Sequence, residues 1–344
     1  MSRIRVALVG CGRISRKHFE AFEANADHVE LVAVCDVAPE ALQAATVRTG
    51  VRGFDSLEQL IAWGAFDLLV LATPSGLHAK QAMRAADAGF DVISEKPMAT
   101  RWVDGKAMVA RFDEAGRNLF VVKQNRFNAP VQRVKQAIDA GRFGRIYMIT
   151  ANVFWCRPQA YYDSAAWRGT WEFDGGAFMN QASHYVDLMD WLGGPVESVH
   201  AFTATLARRI EVEDTGTVSI KWRSGALGSL NVTTLASPRD LEGSITIIGE
   251  KGTAKIGGVA LNEMVQWEFL DADLDDAAAL ASGYATGSVY GFSHSIFYEN
   301  VIASLRGAGK ALVSGREGLR SIELLVAIYK SARDGQRVSL PLDY

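Results

Sequence analysis

Cysteine is nearly missing from this chain: three residues in 344, at Cys11, Cys35 and Cys156. Their odd number does not fit a closed disulfide framework and their spacing matches no zinc site, so the chain suits a reducing compartment. No apolar run approaches the roughly 20 residues that a membrane span needs. The opening MSRIRVALVGCG enters a strand at once, without the h-region of a secretory leader. A cytoplasmic location with no membrane attachment is the expectation. The net charge is only -3, and no strong basic run interrupts the chain, so nucleic acid is not an expected partner. A serine nucleophile has no GxSxG elbow to sit on.

What is present is ordinary globular composition, 49% hydrophobic and 22% charged, in a chain long enough to predict two domains. The first third alternates strands and helices. IRVALVG (4–10), VELVAVCD (29–36), FDLLVLATP (66–74), DVISEKP (91–97) and NLFVVKQNR (118–126) read as strands, apolar on both faces, with helical patterns between them. That rhythm predicts a parallel sheet buried between helices, an α/β domain over residues 1–124. From about residue 125 longer strands follow one another through turns, with one substantial helix near 176–192 and two closing helices. An α+β domain over 125–344, with a mostly antiparallel open sheet, is expected there.

Chemistry concentrates at strand ends. In VGCGRIS, Gly10 and Gly12 lie between a strand and a helix, Arg13 and Ile14 open that helix, and Asp36 ends the next strand. Glycines let a backbone approach a pyrophosphate at a helix N-terminus, and the acid reaches ribose hydroxyls, so this is a Rossmann dinucleotide site. Ser15 stands where a third glycine is usual. Asp36 would repel a 2'-phosphate, which favours NAD over NADP. Thr73, Pro74, Ser75 and His78 in TPSGLH reach the same sheet edge, as cofactor contacts or as a helix-capping turn with a surface histidine. In SEKP, Pro97 stops the strand and leaves Glu95 and Lys96 at its carboxyl end, where ligands of open α/β sheets bind.

In GGAFMNQASHYVDLMDWLGG (175–194), helical spacing puts Asn180, His184, Asp187 and Asp190 on one stripe. His184 is a candidate proton acceptor. With no second histidine at i+4 and no cysteine cluster, a metal site is not expected. FWCRPQAYYDSAAWRGTWEFDGG adds Arg157, Tyr161, Trp167 and Arg168, residue types that stack rings and pair with carboxylate or phosphate. Asn125 lies nearby in expectation, as a further substrate contact.

Taken together, VGCGRIS, ATPSGLH, SEKPMA, the 175–194 helix, IGEKGT (248–253) and AIYKSARDGQRVSLP resemble the Gfo/Idh/MocA family, from residue 4 to the end. The resemblance implies a lysine beside the nicotinamide, Lys96, and a histidine on the later helix, His184. Asn180 stands where many members have aspartate, which leaves His184 oriented by some other group or by none. KQNRFNAP, the 152–188 block and IEVEDTG (210–216) resemble in particular the dehydrogenases that oxidise C3 of UDP-2-acetamido-2-deoxy-glucuronate in bacterial lipopolysaccharide O-antigen synthesis. That implies NAD as cofactor, a UDP-sugar substrate and a homo-oligomer, dimer or tetramer, through the second-domain sheet. Either Lys96 or His184 would be the base. An inositol, aldose or polyol dehydrogenase, and a non-catalytic NAD-binding regulator, are the alternative readings.

Overall fold

The computed structural model describes residues 2–286 and 291–343. The chain forms two compact units. The first holds the residues up to Val122 together with His294–Ile322, and the second holds Lys123–Ser293 and the chain from Glu323 on.

The first unit is built on six strands: β1 (Ile4–Val9), β2 (Val29–Cys35), β3 (Arg52–Phe54), β4 (Leu68–Leu71), β5 (Asp91–Ser94) and β6 (Leu119–Val121). They lie in the order β3-β2-β1-β4-β5-β6, all parallel. Val6, Leu8, Leu69, Val70, Val92 and Ile93 are wholly buried, as a sheet covered on both faces requires. The order reverses between β1 and β4, so the segments leaving those two strands diverge and open a crevice at their carboxyl ends. Gly10 leaves β1, Thr73 follows β4, and Lys96 follows β5. The strand expected over 118–126 stops at Val121, because Gln124–Phe127 winds into a 3-10 turn.

A division at residue 124 alone would leave His294–Ile322 with the second unit, whereas this segment packs on the first. Helix His294–Leu305 sets Tyr298 edge-on to Phe22 of helix Ser15–Ala24, ring centroids 5.1 Å apart. Further along, the Val121 amide donates to the Val313 carbonyl at 2.8 Å. A helical pattern tells which face is apolar but not which sheet will cover it, so this return is invisible to periodicity.

The second unit carries eight strands: β7 (Ile146–Phe154), β8 (Val196–Ala204), β9 (Thr215–Trp222), β10 (Leu227–Thr233), β11 (Glu242–Gly249), β12 (Gly252–Gly257), β13 (Glu263–Phe269) and β14 (Val338–Ser339). Their order is β13-β12-β11-β7-β10-β9-β8-β14. All neighbours are antiparallel except β7 and β10. Ile149, Val153, Leu230, Val232, Ile245 and Ile247 fill one face. The opposite face aligns Ile248, Met148 and Leu227 across three neighbouring strands, each at least 40% exposed.

The helix expected over 176–192 is two pieces. A π-turn, Ala177–Gln181, is followed after Ala182 by the α-helix Ser183–Gly193. The break falls between Asn180 and His184 and interrupts the stripe of a continuous helix, and π-turns of this kind favour functional sites.

Candidate active site

In the first unit, the glycine loop is shaped by two different demands. Gly10 has φ +95°, and a Cβ there would lie 2.5 Å from the Ala72 carbonyl oxygen, so β1 and the segment after β4 approach too closely for any side chain. Gly12 is the opposite case. A Cβ there would meet no protein atom within 4 Å, so internal packing does not require glycine, and the backbone is open to a ligand. Ser15 replaces the missing glycine by bracing the turn, its hydroxyl donating to the Gly12 carbonyl at 2.7 Å. Arg13 is exposed and Ile14 half-buried at the mouth of helix Ser15–Ala24.

Asp36 is seated by two backbone amides, Cys11 N–H donating to Oδ2 at 2.7 Å and Ala38 N–H to Oδ1 at 2.8 Å. Each carboxylate oxygen keeps a second lone pair for a ribose hydroxyl. The loop, the helix N-terminus and the seated acid together fit a dinucleotide.

Around the other strand ends, Thr73 donates from Oγ1 to Gln81 Oε1 at 2.6 Å, and Pro74 and Ser75 begin helix Ser75–Asp87. His78 is not the surface histidine of the capping-turn reading. It is 1% exposed, with Nδ1 2.8 Å from the Pro97 carbonyl oxygen and Nε2 2.8 Å from that of Thr73. Burial lowers its pKa more than those carbonyls raise it, so the ring braces the β4 and β5 ends against each other. Glu95 turns inward as well. Its Oε1 lies 3.2 Å from His18 Nε2 and 4.0 Å from His294 Nε2, and its Oε2 accepts from the Lys96 amide at 3.1 Å. Burial pushes this carboxyl up, but His18, then His294 and Lys96, outweigh it and hold the group well below the usual range. Lys96 is thus fixed through its backbone, its side chain half-buried. His18 and His294, 276 residues apart in sequence (294 less 18), carry no pattern that would have linked them to this motif.

In the second unit, His184 is 8% exposed, and the Gln124 amide nitrogen lies 3.0 Å from its Nε2. Asp187, one turn on, is ion-paired. Lys123 Nζ at 2.9 Å and Arg126 at 2.7 Å pair with its Oδ1, and Arg126 Nε donates to Oδ2 at 2.8 Å. Burial raises the Asp187 carboxyl, but Arg126 and Lys123 overcome this and hold it far below the ordinary range. The pair locks the 3-10 turn to the His184 helix.

The π-turn has its own clamp. Glu213 Oε1 accepts from the Phe178 amide at 2.9 Å and from the Tyr329 hydroxyl at 2.8 Å. A Cβ on Gly176 would fall 1.6 Å from Glu213 Oε2. Burial raises the Glu213 carboxyl to about 7.

Two expected substrate residues, Arg157 and Tyr161, meet through one that sequence reasoning missed, Gln181. Arg157 Nε donates to Gln181 Oε1 at 3.0 Å, while Gln181 Nε2 donates to the Tyr161 hydroxyl oxygen at 3.1 Å. Arg168 Nη1 donates to the same oxygen at 2.7 Å, and its guanidinium lies 4.4 Å from the Tyr161 ring centroid and 4.5 Å from that of Trp167. The two arginines differ. Arg157 is also committed to Asp240 at 3.0 Å and to the Cys156 carbonyl at 2.8 Å, whereas Arg168 has a buried Nε with no partner among the described residues. Asn180 donates to Asp174, and Asn125 is buried with no partner for Oδ1 among the described residues.

Comparison with known proteins shows the family. The profile of the Gfo/Idh/MocA oxidoreductase family's NAD-binding Rossmann fold matches residues 4–123, and that of its C-terminal alpha/beta domain matches residues 135–340. The chain is 63% identical to the WlbA dehydrogenase of Bordetella pertussis, solved with NADH and UDP-GlcNAcA, over 99% of each chain with a TM-score of 0.97. It is 61% identical to the WlbA dehydrogenase of Chromobacterium violaceum, solved with the same pair, over 99% of this chain and 97% of that one, with a TM-score of 0.95. A D-apiose dehydrogenase of Paraburkholderia graminis is 27% identical over 99% of this chain and 90% of its own length. The chain belongs to the Gfo/Idh/MocA family of NAD-binding oxidoreductases.

Proposed function

We propose that the chain oxidises the C3 hydroxyl of UDP-GlcNAcA (UDP-2-acetamido-2-deoxy-D-glucuronate) to the ketone, with NAD as oxidant. The observation that carries this reading is the 63% identity, over 99% of both chains, to a dehydrogenase solved with NADH and that sugar. NAD, when bound, accepts the hydride that leaves C3. His184 takes the hydroxyl proton, and Lys96 donates a hydrogen bond to the same oxygen as negative charge develops on it. Arg168, packed against the Tyr161 and Trp167 rings and with no partner for its Nε among the described residues, reads the sugar carboxylate. Arg157 frames the site through Gln181 and Asp240, and Asn125 and Asn180 contact the sugar. The test is NADH formation from this sugar acid against neutral nucleotide sugars and free polyols.

Cofactor choice follows from Asp36. A carboxylate facing a 2'-phosphate is a like-charge contact and also a lost ribose hydrogen bond. NAD therefore binds more tightly than NADP, and Asp36→Ala narrows the gap. A titration in which NADP binds wild type as well as NAD would contradict this.

Three wider expectations go with the reading. The keto sugar is passed to an aminotransferase in cytoplasmic synthesis of lipopolysaccharide O-antigen; a deletion strain with unaltered O-antigen would contradict it. Among the described residues no helix is long and apolar enough to cross a membrane. The exposed row Ile248, Met148 and Leu227 supports a homo-oligomer, dimer or tetramer, through the open sheet face. Leu227→Asp then lowers the oligomeric order seen in sedimentation, and a wild-type chain that sediments as a monomer contradicts the assignment.

A further inference from the structure

Asn180, four residues before His184, is turned toward Asp174. The ring of His184 is gripped from elsewhere. We infer that Gln124 is the positioning residue of His184, holding the ring at Nε2 while the other ring nitrogen, Nδ1, takes the proton. This rests on the reading of His184 as the base.

The geometry is specific. Gln124 is 2% exposed, at the start of the 3-10 turn Gln124–Phe127, with its amide nitrogen 3.0 Å from His184 Nε2. The residues on either side of it are tied to the His184 helix by charge: Lys123 and Arg126 both pair with Asp187. The amide therefore cannot drift from the ring without breaking a buried ion pair. In the arrangement observed, the amide N–H donates to Nε2, which places the ring hydrogen on Nδ1. The other end of the amide, Oε1, is buried without a partner among the described residues.

A carboxamide is a donor at one end and an acceptor at the other. Turned over, the amide presents Oε1 to Nε2–H, the neutral ring carries its hydrogen there, and Nδ1 carries the lone pair. The substrate O–H bond then breaks and an Nδ1–H bond forms, while the grip at Nε2 is unchanged. Leucine offers neither end. Glutamate offers an acceptor with a full charge, which favours the protonated ring over the neutral one. The charged groups on the elements that carry the pair are Asp187 and Asp190 on the His184 helix and Lys123 and Arg126 on or beside the turn, with Asp174 on Asn180. Gln124→Glu leaves all of them in place.

The test uses the full chain with NAD and UDP-GlcNAcA, measuring kcat, KM and thermal stability for Gln124→Leu and a kcat/KM profile against pH for Gln124→Glu. Gln124→Leu is expected to lower kcat by about 10²-fold with a nearly unchanged KM, as misplacement of a reacting group does. Gln124→Glu is expected to move the acid limb of the profile upward by about one pH unit or more, as an anion beside an imidazole does. A folded Gln124→Leu with wild-type kcat, or a Gln124→Glu profile that stays in place, overturns the inference. His184→Asn in the same assay separates the two layers. If it loses turnover while both Gln124 variants behave as wild type, the base stands and its positioning residue is wrong. If it keeps turnover, the base reading itself fails and takes this inference with it.

Discussion

Lys96→Met and His184→Asn each lower turnover of UDP-GlcNAcA by about 10²-fold or more, with NAD affinity largely retained. The reason lies in where each side chain is fixed. Lys96 follows β5 at the carboxyl edge of the parallel sheet, where its amide is held by Glu95 and Glu95 is held in turn by His18. None of those contacts involves the glycine loop or Asp36, so removing the ammonium leaves the dinucleotide seat intact. His184 belongs to the second unit and is carried on a helix locked by the Asp187 ion pairs. Asparagine keeps a polar group of similar reach at that position but cannot take a proton at neutral pH. Fluorescence titration with NAD and steady-state kinetics on the same preparations separate binding from chemistry. Near wild-type turnover in either variant removes that residue from the mechanism. The reverse assignment, with neutral Lys96 as base, predicts the same losses; a pH profile bears on it only through apparent values shared by coupled groups.

Arg168→Ala is expected to abolish most of the preference for UDP-GlcNAcA over UDP-N-acetylglucosamine, whereas Arg157→Ala weakens activity on both or lowers stability. A sugar carboxylate must be met by a planar donor with capacity to spare. Arg157 has less, since Asp240, Gln181 and the Cys156 carbonyl already occupy its Nε and Nη1 donors and leave only Nη2. Arg168 donates to Tyr161, lies over the rings of Tyr161 and Trp167, and has a buried Nε with no partner among the described residues. A neutral hydroxymethyl in place of the carboxylate leaves that cation without its counterion, at a cost of about 1–3 kcal/mol, or roughly tenfold to a hundredfold in kcat/KM. The ratio of kcat/KM for the two sugars reads this directly. Loss of discrimination in Arg157→Ala with full discrimination kept in Arg168→Ala would reverse the assignment.

The cofactor half was legible because its chemistry is local in sequence. Gly10 and Gly12 sit between a strand and a helix, and Asp36 ends the next strand, so pattern alone places them together. The parallel and antiparallel sheets were legible for a related reason: strands buried on both faces read as continuous apolar runs, and half-exposed ones alternate. The remainder depends on partners distant in the chain. His18, Glu95 and His294 converge from three segments, and nothing in any one of them announces the other two. The π-turn at Ala177–Gln181 escaped because helical periodicity presumes a constant 3.6-residue turn. Glutamine was overlooked at both 124 and 181. It neither titrates nor ligates in familiar motifs, and its value here, one donor and one acceptor on a short lever, emerges only once its neighbours are in place. The signal available was Asn180 itself: a histidine stripped of its usual carboxylate asks for another orienting group, and KQNRF supplies an amide.

The central claim is that this chain is a nucleotide-sugar dehydrogenase, and its direct measurement is NADH formation by the purified full chain with NAD and UDP-GlcNAcA. UDP-N-acetylglucosamine and free inositol run alongside, and an aminotransferase with its amino donor traps the ketone should equilibrium favour the alcohol. The account predicts rapid NADH formation with the acid sugar, much less with the neutral nucleotide sugar, and little with inositol. Ready oxidation of inositol without turnover of the acid sugar, or NAD binding without turnover of any of the three, would contradict it.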